Sequence, residues 1–196
     1  MKVAILKYNA GNIYSVINSL KRLGVSPILT DDIQELTSAD RVILPGQGEA
    51  KSVMTYLYSH NLDKVIYNLR QPVLGICIGM QLMCHHSEEG DTDCLDIFHV
   101  NVKRFVAQSH YDKIPAVGWN EISNLKSPLF KDFTKKEFVY FIHSYYVPLS
   151  DYTIAETNYI LPYSAALNYN NFYAVQFHPE KSGYIGEKIL NNFLSI

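Results

Sequence analysis

Short, continuously apolar runs alternate with amphipathic segments through the first half of the chain. Between Ile13 and Leu23 the apolar residues recur every three or four positions, which is typical of a helix packed on a core, and a second helical stretch covers about 50–70. The runs that are too short for helices are typical of strands buried on both faces: Val3–Leu6, Pro27–Thr30, Arg41–Leu44 and Pro72–Ile76. Because strands and helices alternate, this half predicts a parallel sheet with helices on both faces.

After about Cys94 the pattern changes to shorter, alternating segments. Val100 and Val102 alternate with the polar Asn101 and Lys103, as in a half-buried antiparallel strand. Further strand-like runs follow at Phe138–Ile142, Tyr152–Glu156, Ala165–Asn168 and Phe172–Phe177, before a closing amphipathic helix. We predict one α/β domain over residues 1–196, with a mostly parallel central sheet flanked by helices on both faces and an added antiparallel β portion in the second half.

The composition indicates an ordered globular protein and gives no reason to expect a nucleic-acid or membrane partner. Apolar residues make up 47% of the 196 positions, which excludes disorder as the main state. The 17 basic and 19 acidic side chains give a net charge of -2, and no apolar run approaches the ~18 residues of a membrane span. The 3 cysteines form no C-x-x-C pair, which argues against a disulfide framework or a zinc finger, so we expect a cytoplasmic protein.

A Gly-x-Cys-x-Gly segment, Gly75–Gly79, joins the predicted strand Pro72–Ile76 to a helical segment starting near Met80. This spacing is that of a nucleophile elbow, in which flanking glycines avoid clashes in a strained strand-to-helix turn. The helix N-terminus would favour the thiolate of Cys77, and the backbone N–H of Ile78 would face a developing oxyanion. The same residues are also compatible with a buried structural cysteine in an ordinary turn.

A His-x-Glu pair lies far downstream of the elbow, where His178 and Glu180 follow the predicted strand Phe172–Phe177. In an extended segment, residues two apart point to the same side, so the Glu180 carboxylate can reach the His178 imidazole. We predict a triad in which Cys77 attacks, His178 transfers protons, and Glu180 orients the imidazole and stabilises its charged form. Taken alone, such a pair is also typical of a surface contact or of a satisfied core histidine.

The loop after the strand Arg41–Leu44 reads Pro-Gly-Gln-Gly. Its glycines allow the backbone to lie against a ligand or to turn a peptide N–H toward it. We therefore predict that Ile78, Gln47 and Gly48 form an oxyanion hole, with Gly46 beside the substrate. A plain Pro-Gly turn is the alternative.

The Cys-His-His run at 84–86 raises the question of a metal site. The pattern places this run on the helix after the elbow, where adjacent side chains diverge. We therefore predict exposed polar side chains here, no metal site, and no metal or organic cofactor for the protein.

Together these segments resemble the class I glutamine amidotransferases, whose glutaminase domains combine a cysteine elbow, a distant His-Pro-Glu and a Gly-rich oxyanion strand. The resemblance is greatest to the glutaminase subunits of imidazole glycerol phosphate synthase. It spans nearly the whole chain, through Lys7–Asn12, Gly75–Gln81, Val117–Asn120, Tyr140–Tyr146 and Gln176–Ser182. It implies a flavodoxin-like fold and hydrolysis of L-glutamine to glutamate and ammonia.

The resemblance also implies roles outside the triad. Gln81 and Glu89 occupy positions that hold the amino-acid end of glutamine, and His143, Ser144 and Tyr145 line the same pocket. It further implies a heterodimer with a TIM-barrel cyclase subunit of histidine biosynthesis, which uses the ammonia to make imidazole glycerol phosphate and an aminoimidazole carboxamide ribotide. The residues on the implied docking face are Asn12, Trp119, Asn120 and Lys181.

The chain departs from the family pattern at Lys7, usually an aspartate, at Gln47, in a segment that usually reads Pro-Gly-Val-Gly, and at Ala116, usually a histidine. None of these changes removes a triad member, but Gln47 puts a polar side chain where the family forms its partner-triggered oxyanion hole.

Three alternatives stay open: a divergent paralogue feeding another synthase, for example in surface-sugar amidation; a γ-glutamyl hydrolase on the same fold; and a non-catalytic subunit that keeps the scaffold.

Overall fold

The computed structural model describes residues 1–8, 13–46 and 48–196. In the first half, short strands alternate with helices: β1 (Val3–Leu6), α1 (Ile13–Arg22), β2 (Ile28–Thr30), α2 (Ile33–Thr37), β3 (Arg41–Leu44), α3 (Ala50–Ser59), α4 (Leu62–Tyr67), β4 (Val73–Ile76) and α5 (Ile78–Leu82). The second half is mostly β: β5 (Cys84–Ser87), β6 (Thr92–Asp93), β7 (Phe98–Arg104), β8 (Ala116–Ile122), β9 (Glu137–His143), β10 (Tyr145–Tyr146), β11 (Thr153–Tyr159), β12 (Leu161–Tyr169), β13 (Phe172–Val175) and α6 (Gly183–Ser195).

The central sheet has 7 strands in the order β11-β12-β13-β4-β3-β1-β2. From β13 to β2 every neighbouring pair is parallel, whereas β12 and β11 are added antiparallel at one edge. A 4-stranded sheet, β10-β7-β5-β6, and the β8-β9 pair complete the β structure. The predicted fold class, a mostly parallel sheet with an antiparallel addition in the second half, is confirmed.

Both faces of the inner parallel strands β1, β3, β4 and β13 are buried, which explains why their sequences are apolar without alternation. Along β1, Val3 and Ile5 pack into the core that α1 and α6 cover, and Ala4 and Leu6 pack into the core beneath α2, α3 and α4. Each fully buried Leu or Ile side chain stabilises the fold by roughly 1.5–3 kcal/mol relative to its exposed state. The two cores hold the carboxyl ends of β3, β4 and β13 together at one edge of the sheet, where open α/β sheets bind ligands.

Three local predictions differ from the structure. The helical stretch predicted over 50–70 is two helices, because Asn61 adopts a left-handed conformation with φ 55° between them. The short helix α2 was not predicted; the Asp32 side chain caps it by accepting from the Glu35 N–H. The helix after the elbow ends at Leu82, and Cys84–Ser87 form a strand because their backbone groups pair with β6 and β7.

None of the helices in the described parts of the chain has the length and apolar character needed to cross a lipid bilayer.

Candidate active site

The predicted elbow is a sharp turn between β4 and α5. Cys77 has φ 51° and ψ -107°, a strained conformation for a residue with a side chain, and its N–H donates to the Val175 carbonyl at 2.8 Å. The turn is tight enough to need both glycines, since a Cβ on Gly75 would lie 2.6 Å from the Gly79 carbonyl oxygen and one on Gly79 would overlap the Leu44 carbonyl. Cys77 therefore stands at the N-terminus of α5, with 9% of its surface exposed.

The structure brings His178 and Glu180 to the same sheet edge as Cys77. The His178 Nδ1 lies 2.7 Å from Glu180 Oε1, and both side chains are almost fully buried. Their contact does not run along an extended strand as predicted, because β13 ends at Val175 and Pro179–Lys181 form a 3₁₀ turn. The turn is fixed by the Ser182 hydroxyl, which donates to the His178 carbonyl at 2.7 Å.

The electrostatics of this cluster favour a protonated imidazole. Burial alone would lower the pKa of His178, but hydrogen bonds to Cys77 and Glu180 and the negative charges of both partners raise it to about 10. Within the described part of the chain, the Glu180 Oε2 is buried without a hydrogen-bond partner, so the imidazolium is the main compensation for that carboxylate. The geometry therefore supports an imidazolium held between the Cys77 sulfur and the Glu180 carboxylate.

A cavity of about 220 Å³ opens in front of Cys77. Its wall is formed by Gly46, Gly48, Cys77, Ile78, Gln81, Glu89, Ile142, His143, Ser144, Tyr145 and His178. Gly48 has φ +136°, a conformation that only glycine adopts easily. Gln47, predicted to contribute to the oxyanion hole, lies outside the described residues.

Tyr8 supports this loop, and sequence reasoning gave it no role. Its buried hydroxyl donates to the Pro45 carbonyl, directly before the glycine segment. Burial and the nearby charge of Cys77 raise the pKa of Tyr8 well above its ordinary value, so the hydroxyl stays protonated.

Glu89 lies in the cavity wall opposite the elbow. One carboxylate oxygen, Oε2, accepts from the Ala50 N–H at 2.8 Å, which caps the N-terminus of α3 from a distant part of the chain. Burial raises the pKa of Glu89 and the Ala50 hydrogen bond opposes this shift. The second oxygen, Oε1, takes no part in this cap, and a carboxylate is the acceptor that an ammonium group needs.

His143 is in the cavity wall, but its two nitrogens are engaged inside the protein. Nδ1 lies 2.7 Å from the Tyr145 carbonyl and Nε2 lies 3.0 Å from the Tyr163 hydroxyl, which assigns the proton to Nδ1. Burial lowers the pKa of His143 to about 4, so this imidazole is neutral at physiological pH. It fixes the end of β9, and the adjacent Ser144 and Tyr145 lie along the wall of the cavity.

Gln176 is a site residue that sequence reasoning quoted in a motif but assigned no role. Its Nε2 lies 3.6 Å from Cys77 Sγ, and its Oε1 accepts from Gln81 Nε2 at 3.0 Å. Gln81 Nε2 also donates to the Tyr145 carbonyl at 3.2 Å. The Gln81 amide thereby fixes the orientation of the Gln176 amide, with the donor of Gln176 toward the sulfur.

The residues predicted to face a partner lie on the β8-β9 pair and beside it. Trp119 is 56% exposed and sits opposite Tyr140, and Lys181 lies 5.9 Å from the centre of the Tyr140 ring. The Asn120 side chain donates to the Asn158 carbonyl at 2.9 Å, so it links β8 to β11. Asn12 lies outside the described residues.

Comparison with known proteins adds evidence independent of this geometry. The family model for glutamine amidotransferase class-I matches residues 4–196. The imidazole glycerol phosphate synthase subunit HisH of Bacteroides thetaiotaomicron is 62% identical over 196 residues, covering 100% of both chains, and that of Idiomarina loihiensis is 40% identical over 196 residues, covering 100% of this chain and 98% of the relative.

Solved structures show the same fold at low sequence identity. A glutamine amidotransferase from Thermotoga maritima matches with a TM-score of 0.64 at 16% identity, covering 100% of this chain and 83% of that one. The full-length match to the family model and the HisH relatives show that this chain belongs to the class I glutamine amidotransferase family and, within it, to the HisH family of imidazole glycerol phosphate synthase subunits.

Proposed function

We propose that this chain is the glutaminase subunit of an imidazole glycerol phosphate synthase: one glutaminase domain that hydrolyses L-glutamine to glutamate and ammonia and passes the ammonia to a cyclase subunit in histidine biosynthesis. The observation that carries the proposal is the Cys77–His178–Glu180 cluster, whose Cys77 and His178 line a cavity together with Glu89. The HisH relatives support the pathway, since each is named as a subunit of that synthase.

The reaction proceeds through a thioester. The Cys77 thiolate attacks the side-chain amide carbon of glutamine, and a C–S bond forms as the carbonyl oxygen takes up the negative charge. The His178 imidazolium protonates the amide nitrogen, the C–N bond breaks and ammonia leaves. His178 then takes a proton from water, whose oxygen attacks the thioester and releases glutamate and the Cys77 thiolate. Glu180 holds the imidazole in one tautomer and stabilises its charged form throughout.

The oxyanion is stabilised from the two loops that face Cys77. The Ile78 N–H stands in the first turn of α5, where backbone donors lack partners within the helix and the helix dipole favours negative charge. We expect a second donor from the Gly48 N–H, since φ +136° is a conformation that glycine adopts easily. Gly46 lets this loop approach closely, since a Cβ there would lie 2.8 Å from the Ile76 carbonyl oxygen.

The opposite end of the cavity recognises the amino-acid part of glutamine. The Glu89 carboxylate pairs with the α-ammonium group, and Ser144 and Tyr145 present donors to the α-carboxylate. Gln81 uses its amide nitrogen for the Tyr145 carbonyl and for Gln176, so its Oε1 is the atom it offers to the substrate.

The exposed face of the β8-β9 pair is the proposed contact surface for a TIM-barrel cyclase. Three cross-strand pairs lie on this face: Val117 with Ile142, Trp119 with Tyr140, and Glu121 with Phe138. Four of these side chains are large, apolar and between 39% and 57% exposed: Val117, Trp119, Phe138 and Ile142. A contiguous apolar patch of this kind is typical of a protein interface. A docked partner would also keep ammonia from being protonated in bulk water.

Cys77→Ala tests the proposed chemistry. We expect glutamine-dependent glutamate formation by the complex to fall at least ~10³-fold, because the nucleophile is lost. Cys94→Ala is the matched control, since Cys94 lies outside the cavity wall, and it should keep full activity. Equal turnover of the Cys77→Ala and unmodified proteins would refute the proposal, and preferential hydrolysis of γ-glutamyl peptides would favour the hydrolase alternative.

Glu180→Gln tests the role of the carboxylate through the pH dependence of kcat. The raised pKa of His178 means that the imidazolium, the acid for the leaving ammonia, is lost only as the pH rises toward about 10. Removing the negative charge should lower that pKa, so the alkaline limb of the kcat profile moves to lower pH by at least ~1 unit, with kcat reduced ~10²- to 10⁴-fold. Glu187→Gln, at a surface ion pair with Arg22, should leave the profile in place. An unchanged alkaline limb in Glu180→Gln would contradict the assignment.

Gln176→Glu tests whether the amide stabilises the thiolate. The substitution keeps the shape but replaces the donor near Cys77 Sγ with a carboxylate oxygen, so a negatively charged sulfur loses its hydrogen-bond donor and gains a repulsive neighbour. The measurement is the rate of alkylation by iodoacetamide at a fixed neutral pH, which should fall at least ~10-fold. Gln71→Glu, which is remote from the elbow and bonded to the Leu36 carbonyl, is the control and should keep the rate. An unchanged rate in Gln176→Glu would assign Gln176 a packing role only.

Trp119→Ala tests the docking face. Exposed aromatic side chains often dominate interface energies, so the Kd for the cyclase subunit should rise at least ~10-fold while the thermal stability of the isolated chain stays the same. Tyr111→Ala is the control, because Tyr111 is 78% exposed but lies outside the β8-β9 pair. Titration of the cyclase into each variant by calorimetry gives the Kd, and equal losses in both variants would place the interface elsewhere.

A further inference from the structure

Two imidazoles and a carboxylate converge at the surface between β5 and β7, outside the wall of the glutaminase cavity. His85 Nδ1 lies 3.0 Å from Asp96 Oδ1, and His99 Nδ1 lies 2.9 Å from the same oxygen. All three potential ligand atoms lie within 4.8 Å of one another. The catalytic proposal gives this cluster no role.

The pairing of β5 with β7 brings His85 and His99 together. Cys84 pairs with Phe98 and His86 with Asn101, so β7 has one extra residue opposite His85, and this bulge brings His99 beside it. The imidazole rings have their centres 4.8 Å apart.

A backbone hydrogen bond to β5 holds Asp96 in place. It adopts a left-handed conformation with φ 51°, and its N–H donates to the Cys84 carbonyl at 2.8 Å. The Cys94 N–H likewise donates to the His85 carbonyl at 2.9 Å. The three side chains are therefore brought together by hydrogen-bonded backbone, which reduces the entropy lost when they bind a common ligand.

One nitrogen of the cluster is unpaired. Among the described residues, the His85 Nδ1 is shielded from solvent and has no hydrogen-bond partner, because its approach to Asp96 is short but not aligned for a hydrogen bond. A buried ring nitrogen without a partner is costly for the fold. A cation placed between this nitrogen, the His99 Nδ1 and the Asp96 Oδ1 would give the His85 nitrogen a partner and would replace the hydrogen bond between the other two atoms.

We propose that His85, Asp96 and His99 bind one divalent transition-metal ion of the zinc class. Neutral imidazole nitrogens and a carboxylate oxygen are the ligands that such ions accept, and a water molecule would complete a tetrahedral shell on the exposed side. Zinc bonds of about 2.0–2.1 Å require ligand atoms roughly 3.3 Å apart. The two distances from Asp96 are 3.0 and 2.9 Å, and the ligand atoms, which lie within 4.8 Å of one another, would draw together on binding. Each imidazole would bind through Nδ1 and keep its proton on Nε2.

The expectation that 84–86 is not a metal site rested on placing this run on a helix. In the strand, His85 and His86 point to opposite sides, so only His85 reaches Asp96 and His99, while His86 contacts Asp91 and Asp93. An ion at the proposed site would tie β5 to β7 in the segment that joins Gln81 to Glu89. It would therefore stabilise the fold independently of the glutaminase reaction.

The test is zinc binding to the full chain, prepared without a histidine tag and stripped of metal by a chelator. All variants carry Cys77→Ala, which removes the other site where a thiolate and an imidazole meet. Competition with a chromophoric chelator measures stoichiometry and affinity. We expect one Zn²⁺ per chain and a chelator-reversible rise in Tm of a few degrees when zinc is in excess of its Kd.

Asp96→Asn and His99→Gln should each weaken zinc binding at least ~10-fold and abolish the rise in Tm, while His86→Gln, the matched control next to His85 on β5, should change neither. All three side chains lie at the surface, so the variants are expected to fold, and circular dichroism checks this. Bound Co²⁺ should show tetrahedral ligand-field bands without a thiolate charge-transfer band. Absence of stoichiometric binding, or undiminished binding in Asp96→Asn and His99→Gln, would overturn the proposal.

Discussion

The parallel pairing of β4 with β13 is the constraint on which the site depends. In this register Ile76 lies beside Val175, so the first residue after β4 and the residues just after β13 leave the sheet at the same edge. The hydrogen bond from the Cys77 N–H to the Val175 carbonyl extends the pairing by one residue into the elbow. The proposed nucleophile and base are thereby juxtaposed by backbone hydrogen bonds in the interior of the sheet, and packing on both faces keeps the register fixed.

A buried charge cluster at this edge is tolerated because its members compensate one another. One oxygen of the Glu180 carboxylate contacts His178, and the other has no hydrogen-bond partner among the described residues. Burying this carboxylate would be unfavourable if the imidazole beside it were neutral. The Cys77 sulfur has the imidazolium and the Gln176 amide as neighbours. In the proposed mechanism, the same interactions that make the cluster compatible with burial prepare the sulfur for attack and the imidazolium for protonating ammonia.

The proposed docking face is linked directly to this cluster through β9. The Tyr140 carbonyl accepts from the His178 N–H at 2.9 Å, and the Ile142 carbonyl lies 3.8 Å from Cys77 Sγ. The side chains of Tyr140 and Ile142 lie on the face that carries Trp119. A partner that moves β9 would therefore move backbone atoms in contact with both catalytic groups, which gives a physical route by which docking can alter glutaminase activity.

The sequence by itself determined the fold class and the identity of the chemical groups. Apolar runs without alternation require a sheet buried on both faces, and the elbow glycines around Cys77 are needed wherever that turn forms, so both could be predicted from local pattern. The structure alone decided the contacts outside the predicted triad and pocket. Three of these contacts depend on where side chains point across the strands: those made by Gln176, by Tyr8 and by the Glu89 carboxylate that caps α3. The strand at Cys84–Ser87 forms only because β6 and β7 supply partners for its backbone. Such contacts arise from long-range pairing, whose register no local sequence pattern encodes.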